Sequence, residues 1–249
     1  MQTAIVIPVY NESATIRDVA TAALQQTENV IIVDDGSADD SQSQLEGLKV
    51  HLLRHEKNRG KATALQSGFE HASKLNAEAV ITLDGDGQHN PAEIPHLIKA
   101  AQDNPNCIII AARLKQRQNA PKLRLFANRF ADFWVSWAAG YPVTDSQSGF
   151  RLYPTAVLRD VRLNTSKEKG FVFESEIVIE AASHSFYSVS VPVDSIYHIG
   201  RRQSHYKPWT DTWRIVRMIA WRLIKRGLYL EGLFRSLGIL ADPRSHAPQ

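Results

Sequence analysis

The chain has 249 residues, a net charge of +3 and one cysteine, and these values already exclude several classes of protein. The length fits a single α/β domain with one substantial core and a C-terminal elaboration. Basic and acidic residues, 29 and 26 in number, are interspersed, so we expect no nucleic-acid partner. The lone Cys107 excludes a disulfide framework and fits a reducing, cytoplasmic setting.

The lengths of the hydrophobic runs indicate whether the chain is expected to be secreted or to cross a membrane. The chain passes from Met1 directly into an apolar run that Pro8 interrupts, so no signal peptide is expected. No stretch of about 18 uncharged apolar residues occurs, so we expect no transmembrane helix and at most peripheral contact with a membrane.

The first half of the chain repeats one unit: a short run rich in Val and Ile, a turn, and a polar segment with helical spacing. This alternation is typical of an α/β protein with a mostly parallel sheet and helices on both faces. Strands are predicted at residues 4–9, 30–34, 50–53, 79–83 and 108–112. Helices are predicted at residues 13–26, 61–75 and 91–103, the last with Asn90 as N-cap.

From about residue 123 onward the pattern changes. It predicts a helix at 123–139, the start of another at 170–176, a strand at 187–193 and a basic helix at 209–225. Residues 242–249 are expected to fray.

Acidic residues follow two of the predicted strands, at the sheet edge where open parallel sheets bind ligands. Asp84 and Asp86 flank Gly85 and can reach one hard cation, Mg²⁺ or Mn²⁺, to which Gln88 or His89 could add a ligand. An ordinary turn is the alternative, because Asp and Gly dominate turns for conformational reasons.

The second acidic turn is Asp-Asp-Gly-Ser at residues 34–37. Asp35 could accept hydrogen bonds from a nucleobase, and it could also cap the helix that follows. Neither Gly-x-Gly-x-x-Gly after the first strand nor a Walker-type sequence occurs. The sequence motifs that would indicate a nicotinamide-cofactor site or a P-loop nucleotide site are therefore absent from this sequence.

Five motifs occur in a fixed order: Ile-Pro-Val-Tyr-Asn-Glu (7–12), Val-Asp-Asp-Gly-Ser (33–37), Asn-Arg-Gly-Lys (58–61), Leu-Asp-Gly-Asp-Gly-Gln-His (83–89) and Ser-Gly-Phe-Arg-Leu-Tyr (148–153). This set resembles family 2 glycosyltransferases of the GT-A fold, particularly dolichol-phosphate mannose synthases and bacterial enzymes that glycosylate polyprenyl phosphate. The resemblance spans residues 4–207. It implies a Rossmann-like catalytic domain at residues 1–207. A basic amphipathic helical extension at residues 208–249 would follow this domain.

The resemblance also implies a site for a nucleotide-sugar donor. Tyr10, Glu12 and Asp35 would hold the nucleoside, and Val33 would line the base site. Asp84 would contact the ribose or diphosphate, while Asp86 with Gln88 would bind the metal. The full donor and metal set is Pro8, Tyr10, Glu12, Val33, Asp35, Lys61, Asp84, Gly85, Asp86, Gln88, Ser204 and Lys207.

Three members of that set have equally ordinary alternatives. Lys61 would lie near the donor, or it would be a solvated lysine at a helix start. Ser204 and Lys207 match a mobile loop that closes on the donor phosphates, and a solvated connector is the alternative.

On the acceptor side, the resemblance implies that Arg113 and a second arginine, Arg124 or Arg129, grip a phosphate. Asp145 distinguishes two mechanisms. A hydroxyl acceptor requires a carboxylate base there, whereas a phosphate acceptor needs none and leaves Asp145 to hold the loop or an arginine such as Arg151.

The C-terminal helix is predicted to have two faces. Its apolar face comprises Trp213, Val216, Ala220, Leu223 and Ile224, opposite Arg214, Arg222, Lys225 and Arg226. Such a helix suits an anionic membrane surface or packing on the core of its own protein.

The leading hypothesis is therefore inverting sugar transfer to a polyprenyl or dolichyl phosphate, or a related lipid, at the cytosolic membrane face. The alternatives are a transferase with a hydroxyl acceptor and Asp145 as base, and a nucleotide-binding regulator without turnover. A nucleotidyltransferase is disfavoured because Tyr10-Asn11-Glu12 stands where its Gly-rich stretch would be.

Overall fold

A seven-stranded sheet in the order β3-β2-β1-β4-β6-β5-β7 forms the centre of the computed structural model, which describes residues 1–113, 122–161, 173–194 and 208–246. The strands are β1 (Thr3–Val9), β2 (Val30–Asp34), β3 (His51–Arg54), β4 (Ala79–Thr82), β5 (Ile108–Ala112), β6 (Arg151–Pro154) and β7 (Ser188–Pro192). Only the pairs that β6 makes with β4 and β5 are antiparallel. The predicted mostly parallel α/β sheet is confirmed.

Helices cover both faces of this sheet. They are α1 (Ile16–Leu24), α2 (Lys61–Lys74), α3 (Ile94–Asp103), α4 (Lys122–Ala139), α5 (Thr155–Asp160), α6 (Phe173–Ser183), α7 (Pro208–Lys225) and α8 (Leu230–Ser236). Because successive side chains of a strand alternate, Ala4 and Val6 of β1 pack with α2, α4, α6 and α7, whereas Ile5 and Ile7 pack with α1 and α3.

The sequence-based boundaries hold closely in the first half of the chain. The Asn90 side chain accepts a hydrogen bond from the Ala92 N–H at 3.1 Å, which confirms the predicted cap, although a 3₁₀ turn precedes α3. β3 lies one residue later than expected. The sequence predicted no strand at β6, because four residues that include Arg151 and Pro154 carry no alternating apolar pattern.

A glycine lets α2 approach the sheet closely enough to place its first residue at the sheet edge. A Cβ on Gly68 would lie 2.3 Å from Cγ1 of Val6, a distance that no side chain tolerates. The N-terminus of α2, at Lys61, therefore sits beside the carboxyl ends of β1 and β2.

The C-terminal helix packs on the core through a face that only partly matches the predicted one. Ile215, Ile219 and Leu223 are buried in the same cluster as α2 and α6, whereas Trp213 and Ile224 are 68% and 61% exposed. The predicted apolar face is thus wrong in those two residues. The proposed domain boundary at 207/208 adjoins residues outside the described part and stays a prediction.

Part of the expected frayed terminus is ordered against the sheet. Residues Pro243–His246 form a 3₁₀ turn, and the guanidinium of Arg244 donates to the Ser188 carbonyl at 3.1 Å and lies 5.1 Å from the ring centre of Tyr141. The prediction of fraying is therefore wrong for residues 242–246. Within the described ranges, no helix combines the length and apolarity needed to span a bilayer.

Candidate active site

Side-chain hydrogen bonds join the loops after β1 and β2. The Asn11 N–H donates to Oγ of Ser37 at 2.9 Å, and the Ala38 N–H donates to Oδ1 of Asn11 at 2.8 Å. The Glu12 N–H donates to Oγ of Ser41 at 2.8 Å. Asn11 has a positive φ of 58°, which asparagine tolerates better than most residues. The two loops therefore form one wall at the sheet edge.

The loop after β4 packs against this wall. The Thr15 hydroxyl donates to the Gly85 carbonyl at 2.6 Å. A Cβ on Gly85 would lie 3.4 Å from the Pro8 carbonyl oxygen and 3.6 Å from Cγ of Glu12. The structure thus brings Pro8, Glu12 and Gly85 together, and it leaves Tyr10 exposed at the same edge.

Asp35 is buried and holds the start of α2. Its two oxygens accept the N–H groups of Arg59 and Gly60 at 2.9 and 2.7 Å, and Oδ1 lies 2.7 Å from Nδ1 of His55. Asp35 thus anchors the two residues that precede α2, and it caps no helix directly after β2 as the alternative interpretation expected. Contact between Asp35 and a nucleobase stays a prediction.

Val33 does not lie at the surface of this edge. Its side chain has no solvent exposure and packs with Ala62 of α2 in the core, so its predicted place in the base site is wrong. The nearby turn instead needs Gly36, whose φ is +74° and whose Cβ would lie 2.7 Å from the Lys57 carbonyl carbon.

Lys61 bridges two carboxylates. Its Nζ lies 2.6 Å from Oδ1 of Asp84 and 2.7 Å from Oε1 of Glu174. Burial alone would lower the pKa of the Lys61 ammonium, but the negative charges of Asp84 and Glu174 raise it above its ordinary value. Of the two interpretations of Lys61, the solvated lysine is therefore wrong.

The acidic pair has two different electrostatic environments. Burial would raise the pKa of Asp84, but the Lys61 charge and His89, whose Nε2 lies 3.4 Å from Oδ2, hold it far below its usual value. Burial and the charge of Asp84 together raise the pKa of Asp86, although its Oδ1 accepts the Gln88 N–H at 3.0 Å. Negative charge near Asp86 is therefore incompletely balanced.

This charge imbalance fits a divalent cation, since Asp86 and Gln88 offer the oxygen ligands that Mg²⁺ and Mn²⁺ prefer. Among the described residues, no group of three His, Cys, Asp or Glu side chains is arranged to hold a metal. Asp84 faces Lys61 and His89 instead, so it would have to exchange Lys61 for the ion to act as a ligand.

On the other side of the sheet edge, Arg113 pairs with Asp145. The Arg113 backbone N–H and Nε donate to Oδ2 at 2.9 and 3.1 Å, and Nη2 donates to Oδ1 at 2.9 Å. Asp145 is buried, whereas the Arg113 side chain keeps 22% of its exposure. The prediction that Asp145 would hold Arg151 is wrong. Arg151 is fully buried and donates to the carbonyls of Ser146, Ser148 and Glu174.

Asp132 on α4 supports this pair, and the sequence analysis missed it. Its carboxylate accepts the backbone N–H groups of Asp145 at 3.1 Å and Ser146 at 2.8 Å. Asp145 has φ of 54°, a conformation that a non-glycine residue adopts only when its surroundings hold it. Asp132 therefore fixes the backbone from which Asp145 reaches Arg113.

The sequence also gave no role to Glu174 and Gly149. Glu174 is buried in the first turn of α6, and a Cβ on Gly149 would lie 2.6 Å from Oδ2 of Asp84. A usable signal existed for Glu174: a carboxylate within the apolar run Phe-Val-Phe-Glu-Ser-Glu-Ile-Val-Ile implies a buried partner.

Three of the predicted site residues have side chains outside the described part of the chain. Ser204 and Lys207 lie outside the described residues, as does the expected loop around them. Arg124 is on α4, but its side chain is outside the described part, and Arg129 on the same helix is exposed. Their roles stay predictions.

The sheet is mostly parallel, and its carboxyl edge carries an acidic pair, a lysine between carboxylates and an arginine–carboxylate pair. This is the arrangement expected of a glycosyltransferase with the GT-A fold, and because a fold alone does not define an activity, the family match decides the class. The model of the family described as "Glycosyl transferase family 2" matches residues 4–161. The chain therefore belongs to glycosyl transferase family 2, and this membership disfavours the regulator without turnover.

Named relatives share the same region. The chain is 30% identical over 214 residues to the UDP-N-acetylglucosamine–dolichyl-phosphate N-acetylglucosaminyltransferase of Methanococcus voltae, covering 78% of this chain and 85% of the relative. It is 25% identical to the polyprenol monophosphomannose synthase of Mycolicibacterium smegmatis, covering 77% and 76%. It is 28% identical to an undecaprenyl-phosphate 4-deoxy-4-formamido-L-arabinose transferase of Klebsiella pneumoniae, covering 76% and 58%.

Solved structures confirm the fold. Glucosyl-3-phosphoglycerate synthase of Mycobacterium tuberculosis, in complex with Mn²⁺, UDP-glucose and phosphoglyceric acid, has a TM-score of 0.66 to this chain. The match covers 90% of this chain and 79% of that structure at 17% identity. Another structure of the same enzyme holds Mg²⁺ and UDP.

Proposed function

We propose that the protein transfers a sugar, with inversion, from a UDP- or GDP-sugar to a polyprenyl or dolichyl phosphate. The observation that carries this proposal is the engagement of Asp145. A hydroxyl acceptor needs a carboxylate oxygen directed at the nucleophile, but both oxygens of buried Asp145 accept hydrogen bonds from Arg113. A phosphate acceptor becomes a dianion above pH of about 6, so its oxygen needs no base to take a proton from it.

The acceptor chemistry then depends on Arg113. Its guanidinium has five N–H donors in a planar fork that suits phosphate oxygens, and two of its nitrogens already pair with Asp145. Asp145 would hold the fork at one angle while the partly exposed side chain meets the acceptor. An acceptor phosphate oxygen would attack the anomeric carbon, and the bond to the diphosphate would break with its electron pair leaving on the nucleotide.

The names of the relatives support a lipid-phosphate acceptor, since three of them carry dolichyl phosphate, a polyprenol monophosphate sugar or undecaprenyl phosphate in their names. We further propose that the protein works peripherally at the cytosolic face of a membrane.

The donor would bind where the loops after β1, β2 and β4 meet. In this proposal Pro8, Tyr10, Glu12 and Asp35 form the nucleoside side of the site. Lys61 would neutralise charge on the donor diphosphate, because it lies at the start of α2 at the sheet edge.

Mg²⁺ or Mn²⁺ would be held by Asp86 and Gln88, with Asp84 either as a further ligand or on the donor. A divalent cation bound there would supply positive charge to the leaving diphosphate. Burial, and after it the charge of Asp84, raises the pKa of Asp86, and a bound cation would offset both effects.

The donor half of the proposal is tested by thermal-shift measurement with UDP- and GDP-sugars, with and without Mn²⁺. We expect stabilisation that requires both one donor class and the metal, and its loss in Asp86→Asn. Asp103→Asn, which removes an exposed acid on α3, is the matched control and should behave as wild type. Donor binding that is equally strong with and without Mn²⁺ would refute the metal assignment.

The acceptor half is tested by supplying a short-chain prenyl phosphate and the corresponding prenyl alcohol. We expect product from the phosphate alone, and a fall of at least about tenfold in kcat/KM for Arg113→Ala. Arg159→Ala, an exposed arginine on α5, is the matched control. If the wild-type protein glycosylates the alcohol and Asp145→Asn abolishes this reaction, the hydroxyl mechanism is established instead.

A further inference from the structure

Three contacting helices expose most of the large apolar side chains at the surface of the described residues. α4 packs against both α7 and α8, and the Trp137 indole N–H donates to the carbonyls of Leu228 and Tyr229, which precede α8. In the rest of the described chain, outside α4, α7, α8 and the segments that adjoin α8, only Met1, Tyr10 and Leu52 are comparably exposed. The most exposed members are Phe126, Trp213, Trp221, Ile224 and Ile239.

The exposed face of α7 alternates aromatic and basic residues. Trp213, Arg217, Trp221 and Lys225 recur every four residues and therefore form one stripe along the helix. All four are exposed, and Nζ of Lys225 lies 5.1 Å from the ring centre of Trp221. Tryptophans interleaved with long basic side chains are typical of helices that lie in a membrane interface.

We propose that the surface formed by α4, α7 and α8, here called the docking face, binds an anionic lipid bilayer. Its core-facing side is already occupied, because Ile215, Ile219 and Leu223 are buried beneath the exposed stripe. The apolar residues would enter the boundary between head groups and acyl chains, while Arg217 and Lys225 would reach the lipid phosphates.

Charge favours a bilayer over a second copy of the chain. Arg217, Lys225 and Arg226 are exposed, and Arg226 lies 4.0 Å from the ring centre of Tyr229. Glu231 is the only acid within residues 213–240, and it pairs with Arg235. Two copies of this positive face would repel each other, whereas anionic head groups complement it.

The docking face connects to the acceptor side of the active site through α4. Asp132 on the inner side of this helix holds the backbone of Asp145, and the next residue, Phe133, is partly exposed on the outer side. A docked α4 would therefore hold Arg113 and Asp145 close to the membrane that contains the acceptor. This consequence rests on the proposed function; bilayer binding itself deepens the proposed membrane location and does not depend on the proposed acceptor.

The test is flotation of the full chain with vesicles of phosphatidylcholine that contain one quarter phosphatidylglycerol, compared with pure phosphatidylcholine. We expect binding to the anionic vesicles, screening by salt and a blue shift of tryptophan emission. Trp213→Ala with Trp221→Ala, and separately Arg217→Glu with Lys225→Glu, should each weaken binding at least about tenfold. Leu52→Ala and Lys99→Glu, exposed residues elsewhere, are the matched controls and should bind as wild type.

Wild-type binding by the tryptophan and charge variants would overturn the proposal. So would a concentration-dependent dimer that masks the face, seen by light scattering and lost in the tryptophan variant. Transfer to a soluble short-chain prenyl phosphate separates the two proposals. No vesicle binding with normal transfer refutes the docking face and the peripheral membrane location, but leaves the proposed acceptor standing. Normal vesicle binding without transfer to any prenyl phosphate refutes only the proposed acceptor.

Discussion

The bridge that Lys61 makes between Asp84 and Glu174 should be energetically coupled, and a double-mutant cycle can measure the coupling. The three variants are Lys61→Met, Glu174→Gln and their combination. At 2.7 Å and an effective dielectric constant of 20, the attraction between Lys61 and Glu174 is about 6 kcal/mol. Because desolvation of both charges offsets much of this, we expect a net coupling of about 2 kcal/mol in the free energy of unfolding.

Chemical denaturation in urea provides the assay, with unfolding followed by tryptophan fluorescence. Lys61→Met should be the more destabilising of the two single changes in this cycle, by about 3 kcal/mol, because it leaves two carboxylates without their cation. The exposed pair Lys99 and Asp103 serves as control, and its coupling should stay below about 0.5 kcal/mol. A coupling equally small for Lys61 and Glu174 would refute the bridge.

Three further predictions concern the supports of the site. Gly149→Ala should abolish most activity without unfolding the protein, because its Cβ would lie 2.6 Å from a carboxylate oxygen of Asp84; unchanged kcat/KM would contradict this contact. Asp132→Asn should lower the melting temperature and kcat together, because an amide has one acceptor oxygen and cannot accept the N–H groups of both Asp145 and Ser146. The expected loss is about 1–3 kcal/mol in the free energy of unfolding. Arg151→Lys should destabilise by about 3 kcal/mol or more, because one ammonium cannot reproduce a fork bonded to three carbonyls; calorimetry that finds wild-type stability would show this network to be dispensable.

Local patterns in the sequence determined the parallel part of the sheet. The apolar runs before Asp34 and Asp84 are short, β-branched and bounded by Gly and Asp, so the strands and their functional edge could be predicted from them. The acidic pair could be located in the same way. Its two roles could not, because the difference between Asp84 and Asp86 depends on Lys61 and His89, which the fold brings to one side only.

Tertiary structure alone decided the contacts between distant segments. β6 is a strand because β4 and β5 flank it, and its own four residues carry no strand pattern. The partner of Asp145 is Arg113, 32 residues away and at the end of another strand, although Arg151 is nearer in the sequence. Helical spacing in α7 defines several faces, and only packing against α4 and α6 selects Ile215 and Ile219 as the buried one. The sequence thus specified which chemical groups stand at the strand ends, and the fold decided which of them meet.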